Sequence, residues 1–491
     1  MTFDELLNLI SAKNAPHLCA DSRLVKAGDI FLAVKGTIYD GHDFIDQAVK
    51  NGAKYIVCQK NKSSIEYRAS SIETIFVDDS TKAAAFLSQA ARGNPASQLT
   101  NLAVTGTNGK TTVAFLVRSC IQNAGQKCGL IGTIFYDTGS ETSQADLTTP
   151  DCLAIAEKQQ QMLKAGAEFM VIEASSHALA QNRLAGIKFK AAAFTNLSGD
   201  HLDYHKTKAD YLKAKTKLFQ SLPPDATAVL NKQSPEAKQI AEKTNAKILW
   251  YAIDAPADLT AHIESMNVSG TVFTIQSQAT SDERRATVKT PLLGRFNVSN
   301  HLAAAGLCLA AGFDLETIAA GLSALQGVPG RLEKVSCPGH EPRATSNVFI
   351  DYAHTDDALK NVLLTLKPLC KARLRVVFGC GGDRDRTKRP RMAKVAEQLA
   401  DFIIVTSDNP RTEEPMAIIE EIVAGFENPH SQKIAVEPDR KKAIELAIKT
   451  AAKDDVVLIA GKGHENYQII GKQKFDFSDK DIAEEFLRKR K

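Results

Sequence analysis

Apolar residues fall in short runs separated by amphipathic stretches along the whole chain, a rhythm that predicts strands alternating with helices. Up to about Leu99, residues 30–34, 55–58 and 74–77 read as strands between helical stretches. The turn formers of Arg92-Gly-Asn-Pro-Ala-Ser97 close that segment. A buried-type strand at 101–105 then runs into a Gly/Thr loop and an amphipathic helix at 111–124. Strands at 169–173 and 191–196 each end in a polar cluster. A second break falls at Gln326-Gly-Val-Pro-Gly-Arg331. Beyond it, strands at 348–351, 374–379, 402–406 and 456–460 alternate with helices, giving this last part a Rossmann-like character. The alternation predicts an α/β protein with mostly parallel, doubly wound sheets. In such sheets ligands gather past the carboxyl ends of strands, where Glu173 and Asn196 fall. No fixed-period repeat is present.

Length makes this picture a multidomain one, since 491 residues exceed what a single core of about 100–200 residues holds. The breaks predict three domains, at 1–97, 98–332 and 333–491. A net charge of +4, spread along the chain, gives no case for a nucleic-acid or membrane partner. The one basic cluster, near Lys388 and Arg391, is short and interrupted by Pro390. Nine cysteines form no C-x-x-C pair, so zinc-ribbon and thioredoxin chemistry lack support. The start, Met1-Thr-Phe-Asp-Glu-Leu-Leu, carries acid instead of a basic leader. No apolar run approaches the roughly 18 residues of a membrane span. The expectation is a cytoplasmic protein with reduced thiols.

Candidate chemistry begins at Thr105-Gly-Thr-Asn-Gly-Lys-Thr-Thr112, between the apolar strand and its helix. Glycines let backbone N–H groups turn toward phosphate oxygens, and a helix start favours anions. Lys110 would neutralise the β- and γ-phosphates, and the Thr111 hydroxyl can ligate Mg²⁺. The strict P-loop pattern is shortened, because Val104 holds its first glycine position. Glu173, ending a strand, can supply a hard oxygen ligand for Mg²⁺.

This shortened loop resembles that of the Mur ligase family, and several further motifs follow in the family's order. Asp21-Ser-Arg23 and Gly28-Asp-Ile-Phe-Leu-Ala33 resemble its UDP-binding N-terminal domain. Glu173-Ala-Ser-Ser-His177 through Arg183, Thr195-Asn-Leu-Ser-Gly-Asp-His-Leu-Asp203 and Tyr211-Leu-Lys-Ala-Lys215 resemble its central ATPase domain. Phe296-Asn-Val-Ser-Asn300, Gly330-Arg331 and Asp351-Tyr-Ala-His354 continue the series. The likeness is greatest to the family's tripeptide-forming member. It implies a central P-loop ATPase domain between a UDP-binding domain and a Rossmann-like amino-acid-binding domain.

The resemblance also implies residue roles. ATP would meet Gly106, Thr107, Asn108, Gly109, Lys110, Thr111, Thr112, Asn297, Arg331, Asp351 and His354. One Mg²⁺ would lie on Thr111 and Glu173 and a second on His201 and Lys215. An ammonium offers donors only, so Lys215 would act as a CO₂-derived carbamate; Lys208, Lys213 and Lys217 read as solvated neighbours. Lys110, Glu173, His201 and Lys215 form the implied catalytic set. Ala20, Ser22, Thr37, Ile38, Tyr39, Thr148, Thr149, Ser175, Gln181 and Arg183 would bind the UDP-muropeptide. Asp356, where many relatives carry proline, and Gly199 depart from the family pattern; a local change in the loop is expected at Asp356.

The implied reaction adds meso-diaminopimelate to the D-Glu carboxylate of UDP-MurNAc-L-Ala-D-Glu through an acyl phosphate. Ser407-Asp-Asn-Pro-Arg-Thr412 resembles the diaminopimelate form, whereas lysine-adding relatives tend to carry D-D-P-N there. Arg384, Asp408, Asn409, Pro410, Arg411, Gly461 and Glu465 would hold the amino acid. A guanidinium such as that of Arg411 suits a carboxylate, and Glu465 suits an ammonium. Taken alone, Asp-Asn-Pro-Arg is also a plain turn sequence. A monomer is expected. Three other readings stand beside this one: the same ligase using L-lysine, a folylpolyglutamate synthetase, and a P-loop hydrolase or switch. The second lacks the Asp-Ser-Arg domain; the third leaves the muropeptide and amino-acid motifs without a purpose.

Overall fold

In a computed structural model, residues 1–12, 15–36, 39–60, 72–198, 202–278, 284–335 and 347–489 are described. The chain divides into two compact units. The first comprises Met1–Leu197, His205–Tyr251 and Ala303–Gly321, and the second Ser198–Tyr204, Ala252–Leu302 and Leu322–Lys491.

The first unit opens with a four-stranded parallel sheet: Leu18–Cys19, Ile30–Leu32, Tyr55–Gln59 and Glu73–Val77, in that order. The helix Ser80–Ala90 follows, started by Asp79, whose carboxylate accepts from the N–H groups of Thr81 and Lys82. Alanines on this helix let other chain segments approach closely: a Cβ at Gly186 would stand 2.8 Å from the Ala85 carbonyl oxygen. A buried Gln89–Gln159 hydrogen bond of 2.7 Å ties it to the helix Cys152–Lys164.

The larger sheet of this unit runs Thr227–Asn231, Ala191–Phe194, Thr100–Thr105, Phe169–Glu173 and Cys128–Ile131, all parallel. Antiparallel Phe135–Asp137 and Thr142–Gln144 lie on its outer edge. The strands are apolar almost throughout because both faces are covered, as parallel sheets require. From Thr100–Thr105 the chain first builds one side and later the other. The order therefore reverses beside that strand, where a crevice for ligands opens. The strand expected at 191–196 stops at Phe194, because Thr195 and Asn196 turn to bond the phosphate loop.

In the second unit, Asn347–Asp351, Val456–Ala460, Leu374–Phe378, Phe402–Val405 and Ile434–Val436 are parallel in that order, with antiparallel Glu333–Lys334 at the edge. Helices Asp356–Leu366, Lys388–Leu399 and Pro415–Val423 cover one face through Leu359, Leu363, Met392 and Ile419. Helices Arg440–Lys449 and Asp479–Lys489 cover the other through Ile444 and Phe486. This is the doubly wound arrangement that the alternation predicts.

Several elements went unforeseen, among them the strands Cys128–Ile131 and Thr227–Asn231 and the antiparallel edge Phe135–Asp137 and Thr142–Gln144. Leu259–Asn267, Gly270–Ser277 and Arg284–Thr290 form an antiparallel meander, and Tyr467–Ile470 pairs with Gln473–Asp476 in a hairpin. The departure at Asp356 leaves the local helix intact. Thr355 caps it, and Asp356 takes the first helical position, which suits proline but also an acidic side chain. Asp356 further pairs with Arg391 at 3.2 Å. No described helix is long and apolar enough to cross a membrane.

Candidate active site

The phosphate loop of the first unit is shaped by its glycines. Gly106 has φ +151°, and a Cβ there would collide with the Thr195 hydroxyl. Gly109, at φ +91°, precedes the helix Lys110–Asn123, which starts without a side-chain cap. A helix start of this kind favours an anion through its N–H groups and dipole. The loop is braced from behind by hydrogen bonds from the Asn108 N–H to Asn196 Oδ1 (3.0 Å) and from the Thr195 hydroxyl to the Asn108 carbonyl (2.6 Å). Lys110 Nζ donates to the carbonyls of Gly106 (3.0 Å) and Thr107 (2.9 Å), holding its charge over the loop.

Glu173 is fully buried at the end of its strand. Its Oε2 accepts from the hydroxyls of Thr111 (3.0 Å) and Thr133 (2.9 Å), and its Oε1 from the Thr133 N–H (2.8 Å). A Cβ at Gly132 would strike Glu173 Oε1, so only glycine admits the carboxylate there. This all-oxygen donor set beside the loop fits a hard divalent cation such as Mg²⁺. Lys215, 1% exposed, donates to the Gly106 carbonyl at 2.8 Å and lies 4.3 Å from the Tyr211 ring centre. A carbamate would keep one N–H for that bond. Of its neighbours, Lys213 is exposed and Lys208 pairs with Glu236, whereas Lys217 is half-buried and donates to the Ala180 carbonyl. The solvated reading fails for Lys217. His201, with Gly199, lies outside the described residues.

Thr149, Ser175, Gln181 and Arg183 form one group beside Glu173. The Thr149 hydroxyl donates to the Glu173 carbonyl (2.6 Å), and the Ser175 N–H donates to that hydroxyl (3.0 Å). Arg183 donates to the Thr149 carbonyl (2.6 Å) and twice to Gln181 Oε1. The Thr148 hydroxyl lies 3.1 Å from that of Thr133. In the N-terminal sheet, Asp21 caps a short turn in which Ser22 is buried, Ala20 is exposed and Tyr39 is 70% exposed. Thr37 and Ile38 lie outside the described residues.

In the second unit, four loops past the carboxyl ends of parallel strands carry most of the remaining residues; Asn297 lies in a helix and Arg331 just before the edge strand. Asp351 accepts from the N–H groups of Leu332 and Ala353, both at 2.7 Å. Burial pushes its carboxyl up to about 6, against the nearby Arg331. Arg331 lies 4.8 Å from the Tyr352 ring centre, and His354 Nδ1 bonds the Tyr352 carbonyl at 2.9 Å. Burial holds His464 down at about 3. Asn297, within the helix Arg295–Ala310, gives its amide to the Leu293 carbonyl.

Asp408 packs against Gly461 and Asn409 against Glu465, whereas Pro410 and Arg411 pack against Gly382 and Gly381. Asn409 Nδ2 donates to Glu465 Oε2 at 2.8 Å, and a Cβ at Gly461 would stand 2.6 Å from Asp408 Oδ2. Arg411 is half-buried and donates to the Gly382 carbonyl at 2.7 Å; Arg384, on the same loop as Gly382, is exposed. The two loops are cross-braced where the Thr412 hydroxyl meets Asp383 at 2.8 Å and where Arg389 grips Glu413. That grip holds the Glu413 carboxyl down at about 2. Behind them, Arg440 and Asp479 form a fully buried bidentate pair, and Arg440 also bonds the carbonyls of Ser407 and Ala460.

Sequence reasoning missed Gly132, Thr133, Arg440 and Lys462. The first two follow strand Cys128–Ile131 at its carboxyl end, the signal that marked Glu173. Lys462 lies inside Gly461-Lys-Gly-His-Glu465 but looks like any surface lysine in the sequence.

A loop shaped for phosphate with a buried acidic oxygen beside it, joined in one chain to a second α/β unit bearing clustered charges, fits the class of ATP-dependent ligases. The chain belongs to the Mur ligase family: family models match at 16–92 (Mur ligase family, catalytic domain), 104–308 (Mur ligase middle domain) and 330–463 (Mur ligase, glutamate ligase domain). Among its relatives is the UDP-N-acetylmuramoyl-L-alanyl-D-glutamate–2,6-diaminopimelate ligase of Gloeobacter violaceus, 43% identical over 96% of this chain and 94% of its own. The ligase of the same name from Geobacillus kaustophilus is 42% identical over the same shares. A solved structure of a ligase so named is 33% identical and superimposes with a TM-score of 0.67, covering 100% of this chain and 99% of its own.

Proposed function

We propose that the protein is an ATP-dependent ligase that joins meso-diaminopimelate to the D-Glu carboxylate of UDP-MurNAc-L-Ala-D-Glu, in the synthesis of peptidoglycan precursors. The carrying observation is the loop group of Asn409, Arg411 and Glu465, which offers donors to a carboxylate and a carboxylate to an ammonium. It occurs in a chain 43% identical to a ligase with that name. Meso-diaminopimelate has both groups at its distal end, whereas L-lysine has only the ammonium. Arg384, Asp408, Pro410 and Gly461 complete the proposed amino-acid site.

In this reading Gly106, Thr107, Asn108, Gly109, Lys110, Thr111 and Thr112 cradle the triphosphate, with Asn297, Arg331, Asp351 and His354 serving the rest of the nucleotide. Thr111 and Glu173 would hold one Mg²⁺, and His201 with carbamylated Lys215 a second; the bound cations would offset the charge of the approaching anions. Lys110 and the loop amides fix the γ-phosphate for attack by the D-Glu carboxylate, which gives an acyl phosphate and ADP. The amine of the amino acid then attacks the activated carbonyl and expels phosphate. Positioning and charge stabilisation carry the rate. Ala20, Ser22, Thr37, Ile38, Tyr39, Thr148, Thr149, Ser175, Gln181 and Arg183 would receive the UDP-muropeptide. Domains at 1–97, 98–332 and 333–491, acting as a cytoplasmic monomer, complete the proposal.

The test is incubation with ATP, Mg²⁺ and UDP-MurNAc-L-Ala-D-Glu plus each candidate amino acid, read by mass. A UDP-tripeptide containing diaminopimelate is expected. A product only with L-lysine, or ATP turnover without muropeptide, would overturn the reading. Transfer of ¹⁸O from the substrate carboxylate to released phosphate should accompany turnover; unlabelled phosphate rules out the acyl phosphate.

A further inference from the structure

We infer that Lys462, a residue with no assigned part in the reaction, is a positioning residue that acts with the Ile469 N–H to hold the Asn409 amide with its NH₂ toward the ligand, and so makes this site select an amino acid ending in a carboxylate. The inference rests on the proposed diaminopimelate reading and adds the device by which the choice is made.

A lysine side chain with none of its surface exposed needs partners, because burying an ammonium is costly. Lys462 has two of them, on different loops. Its Nζ lies 3.1 Å from Asn409 Oδ1 and 3.2 Å from Glu465 Oε2, with the Tyr467 ring centre 5.5 Å away. The Ile469 N–H also donates to Asn409 Oδ1, at 2.9 Å.

The two ends of an asparagine amide have nearly the same shape and opposite polarity. Here the choice is forced. Both groups facing one end, the ammonium and the Ile469 N–H, can only donate, so that end must be the oxygen. The other end must be the NH₂, which gives one hydrogen to Glu465 Oε2 and keeps one for a ligand. With Arg411 on the same loop, the site then presents donors to its ligand, which suits a carboxylate. A reversed amide would present an acceptor, which suits an ammonium. Lys462 also draws on Glu465, so that carboxylate is already partly neutralised and calls less strongly for a lone ammonium. Discrimination by unpaired polar groups is the strongest kind a site can build.

The test uses full-length enzyme and compares kcat/KM for meso-diaminopimelate and for L-lysine. Lys462→Met keeps the bulk and removes the donor. It should raise KM for diaminopimelate and lower the diaminopimelate-to-lysine preference by about tenfold or more, leaving KM for ATP within about twofold. Asn409→Asp, which removes the NH₂ without changing size, should relax the preference in the same direction. The double variant should be no more relaxed than Asn409→Asp alone, since both changes act through one amide. A purely structural lysine would instead lower turnover with both amino acids and shift ATP binding too. Wild-type enzyme that does not use diaminopimelate overturns the underlying function. Wild-type turnover with an unchanged preference in Lys462→Met overturns the role of Lys462 alone. Should Lys462→Met fail to fold, an unchanged preference in Asn409→Asp overturns it.

Discussion

The proposed phosphate end and the proposed amino-acid end of this protein are built by different means. Around Glu173 and Lys110, contacts run mostly to the main chain or through short hydroxyls: two carbonyls hold Lys110, and two threonines with one N–H hold Glu173. Around Arg411, polar side chains from separate segments lock one another, as in Asn409 with Glu465 and Lys462, and Arg389 of the helix Lys388–Leu399 with Glu413. The difference teaches where each function is stored. Gripping a phosphate depends on backbone shape, which glycines set. Choosing an amino acid depends on which side chains face each other, which single substitutions can change.

The comparison can be broken, starting where the effect is largest. Lys110→Ala should reduce phosphate release by about 10³-fold, the scale of losing a preorganised charge-stabilising donor. Gly132→Ala comes next, although it removes no functional group. Its methyl would displace Glu173, and a misplacement of that kind costs about 10²-fold in turnover. A near-normal rate in that variant would end the claim that shape governs this end. Arg411→Ala should raise KM for diaminopimelate by roughly thirtyfold, about 2 kcal/mol, with KM for ATP unchanged. A shift in both constants would dissolve the distinction between the two ends.

The smallest effect concerns pH. Burial raises the Asp351 carboxyl from 3.8 to about 6, so the folded protein holds a proton there that the unfolded chain has released. Its contribution to stability is therefore fully present below about 4 and is lost as pH rises to 6. Asp351→Asn should flatten the decline of Tm across that window. An unaltered slope would show that the group titrates normally.

The same difference explains what the sequence disclosed. A phosphate loop is local: Gly106 to Thr112 are contiguous and flanked by a strand and a helix, so spacing alone marks them. Glu173 was legible from its place at a strand end. Gly132 and Thr133 occupy the corresponding place one strand further over, but Gly-Thr has no chemistry until Glu173 stands beside it. Lys462 and Arg440 are buried cations, and nothing in linear order distinguishes them from the exposed lysines and arginines around them. The meander at Leu259–Asn267 and Gly270–Ser277 carries a two-residue burial rhythm, unlike the continuous apolar runs that mark the parallel strands. Asn297 falls in a family motif, yet its side chain closes a local bond to Leu293, which only coordinates reveal.

Arg411 sits at φ +53°, in the left-handed region, where its main chain is clamped by the Ile469 carbonyl and the Gly471 N–H. A β-carbon is uncomfortable there by roughly 1 kcal/mol, and asparagine tolerates the region best after glycine. An arginine-to-asparagine change would therefore relax the local backbone while deleting the guanidinium. The same change would also remove the cross-loop bond to the Gly382 carbonyl, so at this one position an eased backbone is set against a lost tie between loops.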